Sequence, residues 1–231
     1  MHSSTTYRIP FVMCVLAMVL LWAGCKDQGV EPPLSDHNVQ LSVQAAGSVL
    51  HKPSHEVLHI TSVKILLKRI SFSQAGSDDS TDVHSGPLVV ELNLDAKMTP
   101  VAATRISPGV YDRVRFEIHK AEDSDSVPDS VFRSGSNGND RFSVVITGYY
   151  HETPFTFMSR ESAHQELVLS PPVTVTEDGA ANVTLKVDPY AWFTVGELIL
   201  DPFNQDTEID GRIKGSFASA FKDNDRNGEP D

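Results

Sequence analysis

The sequence predicts a mainly β protein: an antiparallel β-sandwich of about seven to nine strands, followed by a short C-terminal helix. Apolar and polar residues alternate with a period of two in one segment after another. Loops rich in Ser, Asp, Gly and Asn separate these segments, as at 76–86 and 121–140. No helical pattern comes between successive strands, so βαβ units are not expected.

The predicted strands follow one another through a single domain assigned to residues 38–200. In the first strand Val39, Leu41 and Val43 alternate with polar residues, and the same alternation continues through a long strand at 60–72. Further strands are predicted at 88–94, 114–118, 142–150, 153–158, 166–169, 173–175 and 183–187.

A change of period marks the C-terminal segment 201–231. Apolar residues recur there every four positions, at Ile209, Ile213, Phe217 and Phe221. This spacing predicts a helix of about 14 residues from near Thr207, with one face against the sandwich. Gly211 and Gly215 oppose the helix by about 1 kcal/mol each relative to alanine. An acidic tail follows the helix.

The N-terminal segment has the pattern of an export signal. Residues 11–22 carry no charge and would form a helix of about 18 Å, which is too short to span a membrane. The stretch from Leu21 to Cys25 resembles the lipobox of bacterial lipoproteins, although Trp22 stands where that family usually has leucine. The resemblance implies that residues 1–24 are removed and that Cys25 receives a lipid. The alternative is an ordinary secretory signal with a chance cysteine.

Cysteine content favours the lipid interpretation. The chain has two cysteines, Cys14 and Cys25, and the first would leave with the signal peptide. An exported domain without a disulfide must rely on its own core, so the remaining thiol is expected to carry the acyl chains. Residues 25–37, with Pro32 and Pro33, are predicted to form a flexible tether. By resemblance to the sorting rule of enterobacteria, Lys26 after the cysteine favours the outer membrane.

Charge narrows the classes of partner. The net charge of −12 argues against nucleic acid, whose phosphates attract basic patches. The membrane is expected to be reached through the lipid, and a protein or a glycan is the expected partner. No catalytic motif is present, so the protein is not expected to be an enzyme.

A turn in the middle of the chain carries a resemblance to a known family. Residues 107–111, Ser-Pro-Gly-Val-Tyr, precede the charged alternating strand 114–118. This P-G-x-Y turn, with the lipobox and the apolar segment 89–94, resembles a family of bacterial lipoproteins catalogued as a domain of unknown function. The resemblance covers about residues 38–195. It implies a prealbumin-like sandwich in the cell envelope and brings no catalytic residues.

The acidic tail contains the clearest local motif. Residues 223–228 fit D-x-D-x-N-G, the first half of an EF-hand calcium loop, in which oxygen ligands occupy positions 1, 3 and 5. The motif's twelfth position, which carries a bidentate glutamate, would be residue 234, and the sequence has 231 residues, so weak binding is expected. The predicted calcium ligands are Asp223, Asp225, Asn227, Glu229 and Asp231. The alternative is a solvated acidic tail.

Two other patterns suggest ligands. His51, His55 and His59 would share one face of a helix as a zinc or copper site, but Pro53 favours a strand, in which only His55 and His59 share a face and are too far apart for one ion. A partner such as His119, His151 or His164 could complete a site with one of them. Several aromatic residues allow a sugar-stacking platform, although aromatics in strands usually belong to the core. These residues are Tyr149, Tyr150, Phe155, Phe157, Tyr190, Trp192 and Phe193.

Together these features predict a lipid-anchored envelope lipoprotein that acts as a structural, adhesion or partner-binding module, with calcium as a stabilising ion. The first alternative is a tethered module that binds a glycan or a metal. The second is an envelope hydrolase with an unrecognised site.

Overall fold

The computed structural model describes residues 37–46, 57–77, 79–215 and 217–231. The chain divides into two units, residues 1–34 and 35–231, and every described residue belongs to the second. The predicted signal peptide, Cys25 and the tether up to residue 36 lie outside the described residues, as do His51 and His55.

The prediction of a mainly β protein with one short helix is confirmed. Twelve strands are present in the described residues. They are β1 (Val39–Ala45), β2 (Leu58–Gln74), β3 (Ser80–Glu91), β4 (Thr99–Thr104), β5 (Gly109–Ile118), β6 (Val144–Tyr150), β7 (Thr153–Ser159), β8 (Ala163–Val175), β9 (Ala181–Val187), β10 (Thr194–Val195), β11 (Leu198–Ile199) and β12 (Phe217–Lys222). The α-helix, α1, spans Asp206–Ile213, and 3-10 helices span Ser130–Arg133 and Pro189–Phe193.

Ten strands form one curled sheet, in the order β4-β1-β9-β12-β8-β5-β2-β6-β7, with β3 also paired to β2. The long strand β2 pairs with β6 along its first half and with β5 along its second half. The sheet is mixed, because β1 runs parallel to β9 and β12 runs parallel to β8. The prediction of a purely antiparallel sheet assumed that each strand pairs with its neighbour in sequence. Both parallel pairs instead join strands that are distant in sequence.

The larger of two hydrophobic clusters in the described residues joins the inward faces of these strands, and a smaller one contains Leu66, Phe132 and Val145. The larger cluster includes the alternating residues of β1 that the sequence predicted, Val39, Leu41 and Val43, each at most 1% exposed. At the register shift between Ile60 and Ser62 the neighbouring strand β6 carries Gly148. A Cβ at this glycine would lie 3.0 Å from the Cα of Ile60, so only glycine permits this close approach.

The C-terminal helix is shorter than predicted. Ile209 and Ile213 are buried on α1, but Phe217 and Phe221 belong to strand β12, so the prediction of a continuous helix through residue 221 is wrong. The backbone of β12 pairs with β8 on one side and with β9 on the other. Pairing with two strands therefore outweighs the four-residue spacing, and Gly215 weakens any helical continuation. No helix in the described parts of the chain is both long enough and apolar enough to cross a membrane.

Candidate metal centre

After β12 the chain folds back as a loop, residues 223–231, against the outer face of β9 and β1. The outward residues of these two strands are polar, in alternation with the core residues, yet Ser42, Asn182 and Thr184 are buried. They are bonded to one another and to the loop: Ser42 Oγ donates to Asn182 Oδ1 at 3.2 Å, and Asn182 Nδ2 donates to the carbonyl oxygen of Asp223 at 2.8 Å. The outer face of β9 and β1 is therefore a polar surface against which the loop packs.

The carboxylate of Asp223 is completely buried at the start of this loop. It accepts hydrogen bonds from Thr184 Oγ1 at 2.8 Å and from the backbone N–H groups of Asn227 at 3.0 Å and Gly228 at 3.2 Å. All three donors are neutral. These three hydrogen bonds offset part of the cost of burying the carboxylate, and a cation bound beside it would balance its charge.

Three carboxylates converge at the loop. One oxygen from each of Asp223, Asp225 and Asp231 lies within 4.8 Å of the other two. Asp231 reaches this position because its backbone N–H donates to the carbonyl of Lys222 at 3.1 Å and its Oδ2 accepts from the N–H of Asn224 at 2.8 Å. The Asn224 N–H and the Lys222 ammonium hold the pKa of the Asp231 carboxyl below its usual value. Oxygen-only donors of this kind suit a hard cation such as calcium.

The turn of the loop depends on Gly228, which has a φ of +82°. A Cβ there would lie 2.8 Å from Gln44 Oε1 and closer still to Nε2. The Gln44 amide is fixed because its Nε2 donates to the carbonyl of Ala96 at 2.8 Å, while its Oε1 is buried without a hydrogen-bond partner. The glycine therefore lets the loop lie flat on β1, as the motif requires at position 6.

The other two predicted ligands have different contacts. Asn227 is bonded within the loop: its Nδ2 donates to Asp225 Oδ2 at 2.8 Å, and its Oδ1 accepts from the N–H of Glu229 at 2.7 Å. The Glu229 carboxylate pairs with Lys186 Nζ at 3.1 Å. The structure thus brings together three of the five predicted residues and turns Glu229 towards β9. Sequence reasoning missed Thr184 and Asn182, which no motif marks and which only the pairing of β9 with β12 places here.

The predicted histidine and aromatic sites are not assembled in the described residues. Of the three predicted histidines only His59 is described; it lies on β2 and stacks on Tyr149 with ring centroids 6.5 Å apart. The alternative of an aromatic sugar-stacking platform is wrong, because five of the seven aromatic residues belong to the core and are at most 5% exposed. These are Phe155, Phe157, Tyr190, Trp192 and Phe193.

No family model, no curated protein and no solved structure matches the chain.

Proposed function

We propose that the protein is a lipid-anchored, non-enzymatic structural or partner-binding module of the bacterial cell envelope, and that calcium at the loop 223–231 fastens its last strand. The buried carboxylate of Asp223, with Asp225 and Asp231 beside it, carries the calcium part of this proposal. Asp223 directly follows β12, so an ion held there acts on the end of that strand.

The choice of calcium follows from the donors. All three side chains offer carboxylate oxygens, and two of them are exposed, so water completes the shell of six to eight oxygens that calcium takes. The small Mg²⁺ ion demands near-octahedral geometry and gives up water reluctantly. A site with three carboxylates, two of them exposed, belongs to the weak class of extracellular modules, with a Kd of about 10⁻⁴–10⁻³ M.

The ion has a structural consequence because β12 lies between β8 and β9. Its pairing with β8 is limited to Ala220 opposite Leu169, whereas it pairs with β9 from Phe217 to Lys222. The backbone N–H of Asp223 extends this ladder to the carbonyl of Asn182 at 2.9 Å. A cation that neutralises the three carboxylates removes their mutual repulsion and keeps this end of β12 in place.

The anchor part of the proposal rests on the N-terminal sequence. The uncharged stretch 11–22 and the lipobox-like residues Leu21 to Cys25 support export and lipidation, with the outer membrane favoured by Lys26.

We also propose that the fold is related to the prealbumin-like sandwiches. This relation is supported by β2, which pairs with β6 and then with β5 along one edge, as a strand shared by two sheets does.

A melting experiment on the full chain in detergent tests the calcium site. Thermal unfolding is followed in EDTA, in millimolar Ca²⁺ and in millimolar Mg²⁺. At a Kd of about 10⁻⁴ M, 1 mM Ca²⁺ is about ten times the Kd and should stabilise the fold by about 1.4 kcal/mol. Asp225→Asn should lose most of this shift, because it removes an exposed ligand and leaves the buried Asp223 intact. Asp178→Asn, at an exposed acid outside the loop, is the matched control and should keep it.

Either of two results would reject the calcium site: no calcium-dependent shift in the wild type, or an undiminished shift in Asp225→Asn. The anchor is tested separately by labelling cells that express the full chain with a radioactive fatty acid. Cys25→Ser should abolish both the label and recovery in the membrane fraction. Label that persists in this variant would reject lipidation at Cys25.

A further inference from the structure

A second cluster of metal-ligating side chains lies on the outer face of β5 and β8, and neither the calcium motif nor the anchor accounts for it. The register places Glu117 of β5 directly opposite His164 of β8. His119 follows two residues after Glu117 and shares its face, since the intervening Ile118 is buried in the core. Three potential ligands thus project from one patch of the sheet.

The three ligand atoms do not all lie within 4.8 Å of one another, but two of their separations approach those of a metal site. His119 Nδ1 lies 3.4 Å and His164 Nε2 lies 3.9 Å from the same oxygen, Glu117 Oε1. Tetrahedral zinc, with bonds of about 2.0–2.2 Å, places its ligand atoms about 3.3–3.5 Å apart. His119 and Glu117 already have this spacing. The side chain of His164 is 85% exposed, so it has room to turn towards the other two ligands.

The second nitrogen of His119 is held by a carboxylate. Its Nε2 lies 3.1 Å from Glu122 Oε1, in hydrogen-bonding geometry. Lys68 Nζ also donates to the same oxygen, at 2.6 Å. A neutral imidazole has a single N–H. When Nε2 donates it to Glu122, the lone pair of Nδ1 faces Glu117 and is available to a metal ion.

We propose that His119 Nδ1, Glu117 Oε1 and His164 Nε2 bind one zinc ion, and that Glu122 is the positioning residue that orients His119. A carboxylate that accepts the free N–H of a ligating histidine is the usual outer contact of zinc sites. The two imidazole nitrogens and one oxygen suit zinc, in contrast to the oxygen-only loop at the C-terminus.

Two of the proposed ligands, Glu117 and His164, also line a groove of about 370 Å³. The groove is lined by Glu117 and His164 together with Arg69, Ser71 and Arg115. Arg69 is paired with Asp82 at 2.7 Å, which offsets the repulsion of a cation beside Glu117. Three protein ligands with a solvent-facing fourth position leave room for water or for the anionic group of a small ligand.

Zinc titration of the full chain in detergent, in competition with a chromophoric chelator, tests the site. His164→Ala and Glu117→Gln should each raise the zinc Kd at least about tenfold, and Glu122→Gln should raise it about 10–100-fold. Cobalt in place of zinc should give the intense visible absorption of four-coordinate Co²⁺, and His164→Ala should abolish it. The absorption reports coordination directly, so a purely structural role of His164 would not change it.

Two controls separate this site from the rest of the chain. The double variant His51→Ala/His55→Ala should bind zinc like the wild type, because those histidines are not among the proposed ligands. Asp225→Asn should also leave the zinc Kd unchanged, so failure of the calcium site and failure of the zinc site are distinguishable. A circular dichroism spectrum of each variant checks that it is folded.

Three outcomes would overturn the zinc site. The first is absence of zinc binding at micromolar concentration. The second is an unchanged Kd in both His164→Ala and Glu117→Gln. The third is loss of binding in the His51/His55 double variant alone.

Discussion

Replacement of Gly228 by alanine should destabilise the protein through two effects that the structure separates. The first is backbone strain, since a φ of +82° costs a residue with a Cβ about 1–2 kcal/mol. The second is the contact of the new Cβ with the Gln44 amide. Displacement of that amide breaks its hydrogen bond to the carbonyl of Ala96, which contributes about 1 kcal/mol. The expected loss is about 2–3 kcal/mol.

Two other glycines serve as matched controls for these effects. Gly76 has a similar φ of +76°, but nothing lies within 4 Å of its Cβ position, so Gly76→Ala reports backbone strain alone. Gly211 lies within α1 with open space around it and should gain about 1 kcal/mol as alanine, through helix propensity. From the most to the least stable, the expected order is therefore Gly211→Ala, wild type, Gly76→Ala and Gly228→Ala.

Urea unfolding of the four proteins, in EDTA to remove ion effects, measures this order. Equal stability of Gly228→Ala and Gly76→Ala would refute the contact with Gln44 and, with it, the close seating of the loop on β1. A stability of Gly228→Ala equal to that of the wild type would refute the left-handed turn itself.

Two further predictions concern buried polar groups. Asp210 has a carboxyl oxygen that is buried without a hydrogen-bond partner, and burial raises its pKa although a hydrogen bond from Ser159 lowers it. A raised folded-state pKa contributes stability that is present below about pH 4 and lost as pH rises through the folded value. Asp210→Asn should therefore raise Tm at pH 7 but not at pH 3, and an equal change at both would contradict this. Tyr190→Phe should lower the free energy of unfolding by about 1–3 kcal/mol, because the buried N–H of Ile60 donates to the Tyr190 hydroxyl at 3.1 Å. Chemical denaturation measures this loss. Tyr149→Phe, at a side chain 47% exposed, is the control, and equal losses in the two variants would contradict the prediction.

The strands that the sequence predicted best are those with one buried face. The alternation in β1, in β5 and in the long β2 is visible because every second residue enters the core. The start of β3 was predicted as a loop. Its first residues, Ser80–Asp82, are polar and pair with β2 at its outer end, so they carry no apolar signal. The short β4 was missed because its burial does not alternate strictly.

Pairing between distant strands was not predictable from the sequence. β1 lies beside β9, about 140 residues away, and nothing local in Val39–Ala45 specifies a parallel partner. The strand β12 shows the same limit more strongly. Its apolar residues fit a helical period, and their conformation is decided by the two strand edges that receive them.

The two candidate sites differ in how much the sequence discloses. The calcium ligands lie within one short segment, so the spacing of Asp223, Asp225 and Gly228 predicts their convergence. The buried hydroxyl of Thr184 comes from β9 and has no sequence signal. In the zinc cluster Glu117 and His119 are two residues apart, but His164 joins them only through the register of β5 with β8. A motif search therefore cannot find it.

Both sites occupy the outer face of the sheet, and this location follows from how the strands are paired. Outward positions do not enter the main core, so they accept polar and charged residues, and cross-strand pairing brings such residues within about 5.5 Å of one another. The loop 223–231 extends this principle, since it depends on β12 being inserted between β8 and β9. An ion bound to Asp223 therefore acts on a strand in the interior of the sheet. Its removal is expected to loosen the centre of the fold.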